Sequence, residues 1–139
     1  MAEDPAAGVQ FDQEMLDFAH TVFDLARDGQ AERLGAYLDA GLTANLTNDK
    51  GDTLLILAAY RGHAETVKTL IEHGAAVDSA NDRGQTALAA AVFKQSEQSV
   101  QLLLDAGADE DAGSPSALDT ARFFELPAMI ALLDAKAGR

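Results

Sequence analysis

The chain has 139 residues, enough for one domain with its own core. It has no cysteine, which excludes disulfide frameworks, thiolate nucleophiles and cysteine metal sites and fits a reducing, cytoplasmic setting. Ten basic residues stand against twenty-three acidic ones, and the net charge of −13 repels phosphate backbones and anionic headgroups, so neither nucleic acid nor membrane is an expected partner.

Residues 1–12, "MAEDPAAGVQFD", start with acids where a secretory leader needs basic residues ahead of an apolar run. They lack periodicity, so a disordered tail is expected before a single domain over residues 13–137. From Met15 to Gly41, apolar residues at helical spacing alternate with Asp17, Asp24, Asp28, Glu32, Arg33 and Asp39, as suits a first unit, 15–47, with a polar outer face. The second unit, 48–80, holds "TLLILAAYR", a short apolar helix ending at Gly62, and "HAETVKTLIEH", a helix with Val67, Leu70 and Ile71 on one face and a stop at Gly74. A third unit, 81–113, repeats that pattern. The last, 114–137, aligns only when three residues are deleted from its connecting segment, and it carries Pro127 near the first position of its second helix, where proline is tolerated. The longest apolar runs, "LLILAAY" and "ALAAAVF", have seven residues, far short of a membrane span.

The units share a period of 33 residues: Gly41, Gly74 and Gly107 fall in register, as do Gly51 with Gly84, Thr53 with Thr86, Leu55 with Leu88 and Asn48 with Asn81. Such a period marks a repeat array, in which each helix pair buries its apolar face on its neighbours. Glycine after a helix suits the left-handed closing position, and "NDKG" and "NDRG" carry the turn chemistry of a tight loop between helix pairs.

The segment "NDKGDTLLILAAYRGHAETVKTLIEHGAAVDSA" resembles the ankyrin repeat in its G-x-T-x-L-x-x-A-A-x-x-G-H core, its apolar second helix and its L-x-x-G-A ending. The likeness covers about residues 15–135 and implies an all-α solenoid of stacked helix-turn-helix units joined by extended, hairpin-like loops. Two departures stand out. The family's Thr-Pro-Leu-His reads Thr53-Leu54-Leu55-Ile56 and Thr86-Ala87-Leu88-Ala89, so helix starts are expected to be less rigidly pinned. Gln95 and Ser96 replace Gly62 and His63 in the third unit, so its inter-helix turn is expected to differ.

The resemblance further implies a non-enzymatic module that grips a protein by its loop tips and the concave face of its first helices. Carried onto this sequence, the tips are Asp49, Lys50 and Asp52, then Asp82, Arg83 and Gln85. The helix positions are Tyr60 and Arg61, Phe93 and Lys94, and Phe123 and Phe124, with Arg27 and Asp28 beginning the row. The rings either pack between units or face a partner, and the sequence leaves both open. A monomer is expected, and the negative field favours a basic patch on the partner. An alternative implied by the resemblance is a regulatory partner or inhibitor of an enzyme, for example in oxidative-stress defence.

No catalytic, cofactor-binding or metal-binding residue is expected. His63 and His73 are ten apart, too far for ligands on one helical turn; the resemblance gives His63 a structural role in the turn, and His73 sits where a helix end favours a cation. "DEDAGS", from Asp109, lacks glycine at the sixth position of a calcium loop. Asn45 begins a glycosylation sequon that no export signal accompanies. No phosphate loop or nucleophile elbow is present.

Overall fold

The structure is a computed structural model that describes the backbone of residues 5–139 and the side chains from residue 13 onwards. Eight helices follow one another along the described chain: α1 (Pro5–Arg27), α2 (Ala31–Asp39), α3 (Leu54–Tyr60), α4 (Ala64–Glu72), α5 (Ala87–Lys94), α6 (Glu97–Asp105), α7 (Ala117–Phe123) and α8 (Pro127–Ala137). Helix α1 starts inside the stretch expected as a tail, so residues 5–12 carry helical backbone, while residues 1–4 lie outside the described residues. None of the described helices is long and apolar enough to cross a membrane.

The helices form two layers. Inner helices α1, α3, α5 and α7 each pack on the next, outer helices α2, α4, α6 and α8 do the same, and substantial contacts stay within one helix pair or between adjacent pairs. Small side chains make this close stacking possible: Ala58, Ala59, Ala90, Ala91, Ala117 and Ala121 are buried between inner helices. Larger apolar residues fill the seam between the layers, with Leu70, Leu88, Val100, Leu103 and Leu133 fully buried. The fold is therefore the all-α repeat solenoid that the 33-residue period implies.

Helix starts hold firmly without the missing proline and histidine. The Thr53 hydroxyl accepts from the Ile56 amide at 3.0 Å, Thr86 accepts from Ala89 at 3.2 Å, and Ser116 accepts from Asp119 at 3.1 Å. Threonine or serine at the N-cap satisfies an otherwise unpaired helix donor, and that suffices here. The turn after α5 also departs from expectation: Gln95 adopts the same left-handed backbone (φ 61°) as Gly62 (φ 76°). What changes is the capping group. Ser96 caps α6 through the Ser99 amide, whereas His63 makes no such side-chain cap on α4.

The loops between helix pairs stack into a spine of hydrogen bonds. Within the first two, one asparagine organises the backbone: Asn48 Oδ1 accepts from the Lys50 and Asp52 amides at 2.9 Å, and Asn81 Oδ1 accepts from Arg83 and Gln85 at 3.0 and 2.9 Å. Between loops, the Asp82 amide donates to the Lys50 carbonyl at 3.0 Å and the Ser114 amide to Gly84 at 2.8 Å. This spine explains two invariant-looking glycines of the period. Gly51 and Gly84 have φ of 75° and 79°, and a Cβ on Gly84 would sit 2.8 Å from the Ser114 carbonyl oxygen.

Candidate interaction face

Inner helices α3, α5 and α7 are short, and residues near their C-terminal ends meet from one unit to the next. Tyr60 and Phe93 occupy these positions on α3 and α5, with 45 and 48% of their surfaces exposed. Their rings stack nearly parallel with centroids 6.2 Å apart. The row continues by an edge-to-face contact from Phe93 to Phe124 at 5.3 Å, and from Phe124 to Phe123 at 4.9 Å. Phe123 is the most exposed of the four, at 80%. The rings thus touch one another across three units and remain open to solvent: they neither sink into the core nor stand apart. The aromatic that continues the row is Phe124, one residue beyond the position equivalent to Phe93.

The loop tips divide into two groups. Asp49, Lys50, Asp82 and Arg83 are exposed, as a partner-facing tip requires. Asp52 is not: it is buried, and its carboxylate accepts from Asn81 Nδ2 at 2.7 Å. Gln85 is half-buried, and its Oε1 accepts from the same Asn81 amide at 3.2 Å. The Asp52 carboxylate is spent on joining two loops, whereas Gln85 bonds within its own loop and still lines the groove beside it, so the expectation of Asp52 as an exposed contact is corrected. The reason is visible only in three dimensions, because Asn81 reaches Asp52 from the following unit.

Between the tips and the inner helices lies an open groove of about 320 Å³, lined by Arg27, Lys50, Tyr60, Arg61 and Arg83 with Ile56 and Leu57 at its floor. Arg27 is paired with Asp24 at 2.9 Å. No acid among the described residues forms an ion pair with Lys50, Arg61, Arg83 or Lys94. Sequence reasoning placed the cations in the row but missed Ile56 and Leu57, whose positions within a short apolar helix carry no outward signal.

Two of the three histidines, His63 and His73, tie helices together. His63 Nε2 donates to the Arg27 carbonyl at 2.7 Å, and its ring lies so close over Gly29 that a Cβ there would sit 2.6 Å from Nδ1. His73 joins the outer helices, donating from Nδ1 to the Thr69 carbonyl at 2.8 Å and from Nε2 to Asp39 at 2.7 Å. Two acceptors hold the imidazolium, so its pKa is raised above the ordinary 6.5, chiefly by the Asp39 hydrogen bond and next by Thr69.

A family model for ankyrin repeats, in three copies, matches residues 23–113, more than half of the chain. An ankyrin repeat protein of Pseudomonas aeruginosa is 51% identical over 53 residues, which are 38% of this chain and 31% of that protein. The crystal structure of the human ASB11 ankyrin repeat domain superposes with a TM-score of 0.62 at 29% identity, over 64% of this chain and 40% of that one. The chain therefore spans less than half the length of these relatives. With the repeat period, the two helical layers, the threonine caps and the loop spine all matching that family's pattern, the chain belongs to the ankyrin-repeat family.

Proposed function

We propose that the protein is a non-enzymatic interaction module that holds a protein partner against the concave edge, with Tyr60 and Phe93 as the central anchors. Ankyrin repeats in general mediate protein–protein interaction, which supports a protein as the ligand. The observation that carries the reading is the continuous run of four exposed rings on an acidic chain with few aromatics. Contiguous exposed apolar surface on a small domain marks an interaction site, and aromatics at the centre of such sites supply a large share of the binding energy. The rings need little ordering on association, because neighbouring rings already restrain them. On this reading the chain acts as a cytoplasmic monomer, its net charge of −13 keeping copies apart.

A photoreactive phenylalanine analogue placed at Phe93 in the native cell tests this, with the same analogue at exposed Lys68 on α4 as the control. Position 93 should cross-link to one protein that position 68 does not reach, and Tyr60→Ser with Phe93→Ser should abolish its co-purification while helical circular dichroism persists. The same adducts from both positions would refute the reading.

A further inference from the structure

The groove beside Tyr60 gathers cations in a chain that has few. Of ten Lys and Arg residues, Arg27, Lys50, Arg61 and Arg83 line this one groove. A fifth, Lys94, lays its aliphatic stem over Gly62, the chain neighbour of Arg61, 3.4 Å from where a Cβ would stand. The opposing charges are fewer. Asp49 and Asp52 also line the groove, but Asp52 is buried and accepts from Asn81, and Asp24 serves Arg27 alone. Most of the twenty-three acids of this chain lie outside the groove, and among the described residues none forms an ion pair with Lys50, Arg61 or Arg83.

From this we infer that the concave groove takes a short acidic segment of the partner protein, with carboxylates meeting Lys50, Arg61 and Arg83 and an apolar side chain seated on Tyr60. The inference rests on the protein-binding reading above and names the chemistry of its ligand. It replaces the basic patch expected from net charge. Over distances beyond about 10 Å the overall field is screened at ordinary ionic strength, and in the groove the nearest charges decide. Arginine presents its planar fork to carboxylates, and Tyr60 gives a ring face beside it. A long polyanion such as nucleic acid fits less well, because beyond the groove it would run onto the exposed Asp82 at the next tip and meet the negative field of the rest. A short segment keeps its charges inside the groove.

The test begins with a random dodecapeptide display library selected on the full chain. Sequences rich in Asp and Glu around an apolar residue are expected. Sequences rich in Lys and Arg would overturn the inference and leave the protein-binding reading standing; no enrichment, or the same enrichment by the Tyr60→Ser, Phe93→Ser variant, would overturn both. Fluorescence anisotropy then measures a labelled peptide of glutamates around one phenylalanine. Arg61→Glu with Arg83→Glu should weaken it at least about tenfold, as should raising NaCl from about 50 to about 500 mM. Both arginines are exposed and unpaired, so the fold is expected to survive their reversal, which circular dichroism checks. Equal binding of a lysine counterpart, tighter binding of an oligothymidylate, or no loss on charge reversal would each sink the acidic-segment assignment.

Discussion

The side-chain amide of Asn81 donates to the carboxylate of Asp52 across 2.7 Å, and both residues are buried. This bond links two consecutive loops, while the Asn81 carbonyl oxygen simultaneously accepts from the amides of Arg83 and Gln85. Asn81→Ala leaves a buried carboxylate and two backbone donors without this partner, and the expected loss is about 2–3 kcal/mol. Urea unfolding followed by circular dichroism measures it, and Asp52→Asn, which retains an oxygen acceptor, should cost less. Equal stability of Asn81→Ala and the parent chain would show that the loop spine adds nothing.

Thr66 offers the opposite case. Its side chain is fully buried on α4, and its hydroxyl has no hydrogen-bond partner among the described residues. Thr66→Val keeps the shape and removes a desolvated polar group, so a gain of about 1 kcal/mol is expected in the same unfolding measurement. A loss in stability would mean that the hydroxyl is satisfied after all.

Gln95 holds a left-handed backbone at φ 61° that its Cβ resists. Gln95→Gly should relieve roughly 1 kcal/mol of strain, partly offset by the greater freedom of glycine in the unfolded chain. A net rise in thermal midpoint is the expected result. A fall would show that the glutamine side chain contributes contacts worth more than the strain.

The His73 imidazolium bridges Asp39 and the Thr69 carbonyl, so its folded pKa lies above its unfolded one. The sign follows: the stabilisation is fully present below the ordinary histidine pKa of 6.5 and is lost as pH rises through the elevated folded value. Nuclear magnetic resonance titration should show His73 with a midpoint above 6.5, brought down by Asp39→Asn. An unchanged midpoint in that variant would assign the elevation to other groups.

Much of the architecture is legible in single residues of the chain. Gly51 and Gly84 mark the loops because their close approach to the next loop leaves no room for a Cβ, and a requirement of that kind recurs once per unit. The threonines at 53 and 86 mark helix starts because each hydroxyl caps the first turn, a need that also recurs at the unit period. What the sequence conceals depends on how one unit meets the next. Tyr60 and Phe93 have the same helical position, but whether they pack inward or stack outward is set by the spacing of α3 and α5, which no local pattern encodes. Asp52 reads as a polar tip, and only the arrival of Asn81 from the following unit turns it into a buried acceptor. Gln95 conceals its turn because the backbone tolerates in this context what propensity disfavours. The helical backbone at residues 5–12 belongs to α1, a helix much longer than its counterparts in later units, so the repeat offers no template for its start.

The spine of loop-to-loop hydrogen bonds joins neighbouring units at one margin, and on the other side the outer helices meet through apolar faces such as Leu70 and Leu103, with the His73–Asp39 bond tying α4 to α2. Directional bonds resist stretching, and greasy contacts slide at small cost. Because directional bonds fasten the units on both sides, the separation of adjacent inner helices, and with it the 6.2 Å stacking of Tyr60 on Phe93, is held from two directions. The aromatic row is in this sense a preformed rail, its gauge set by bonds that lie outside it.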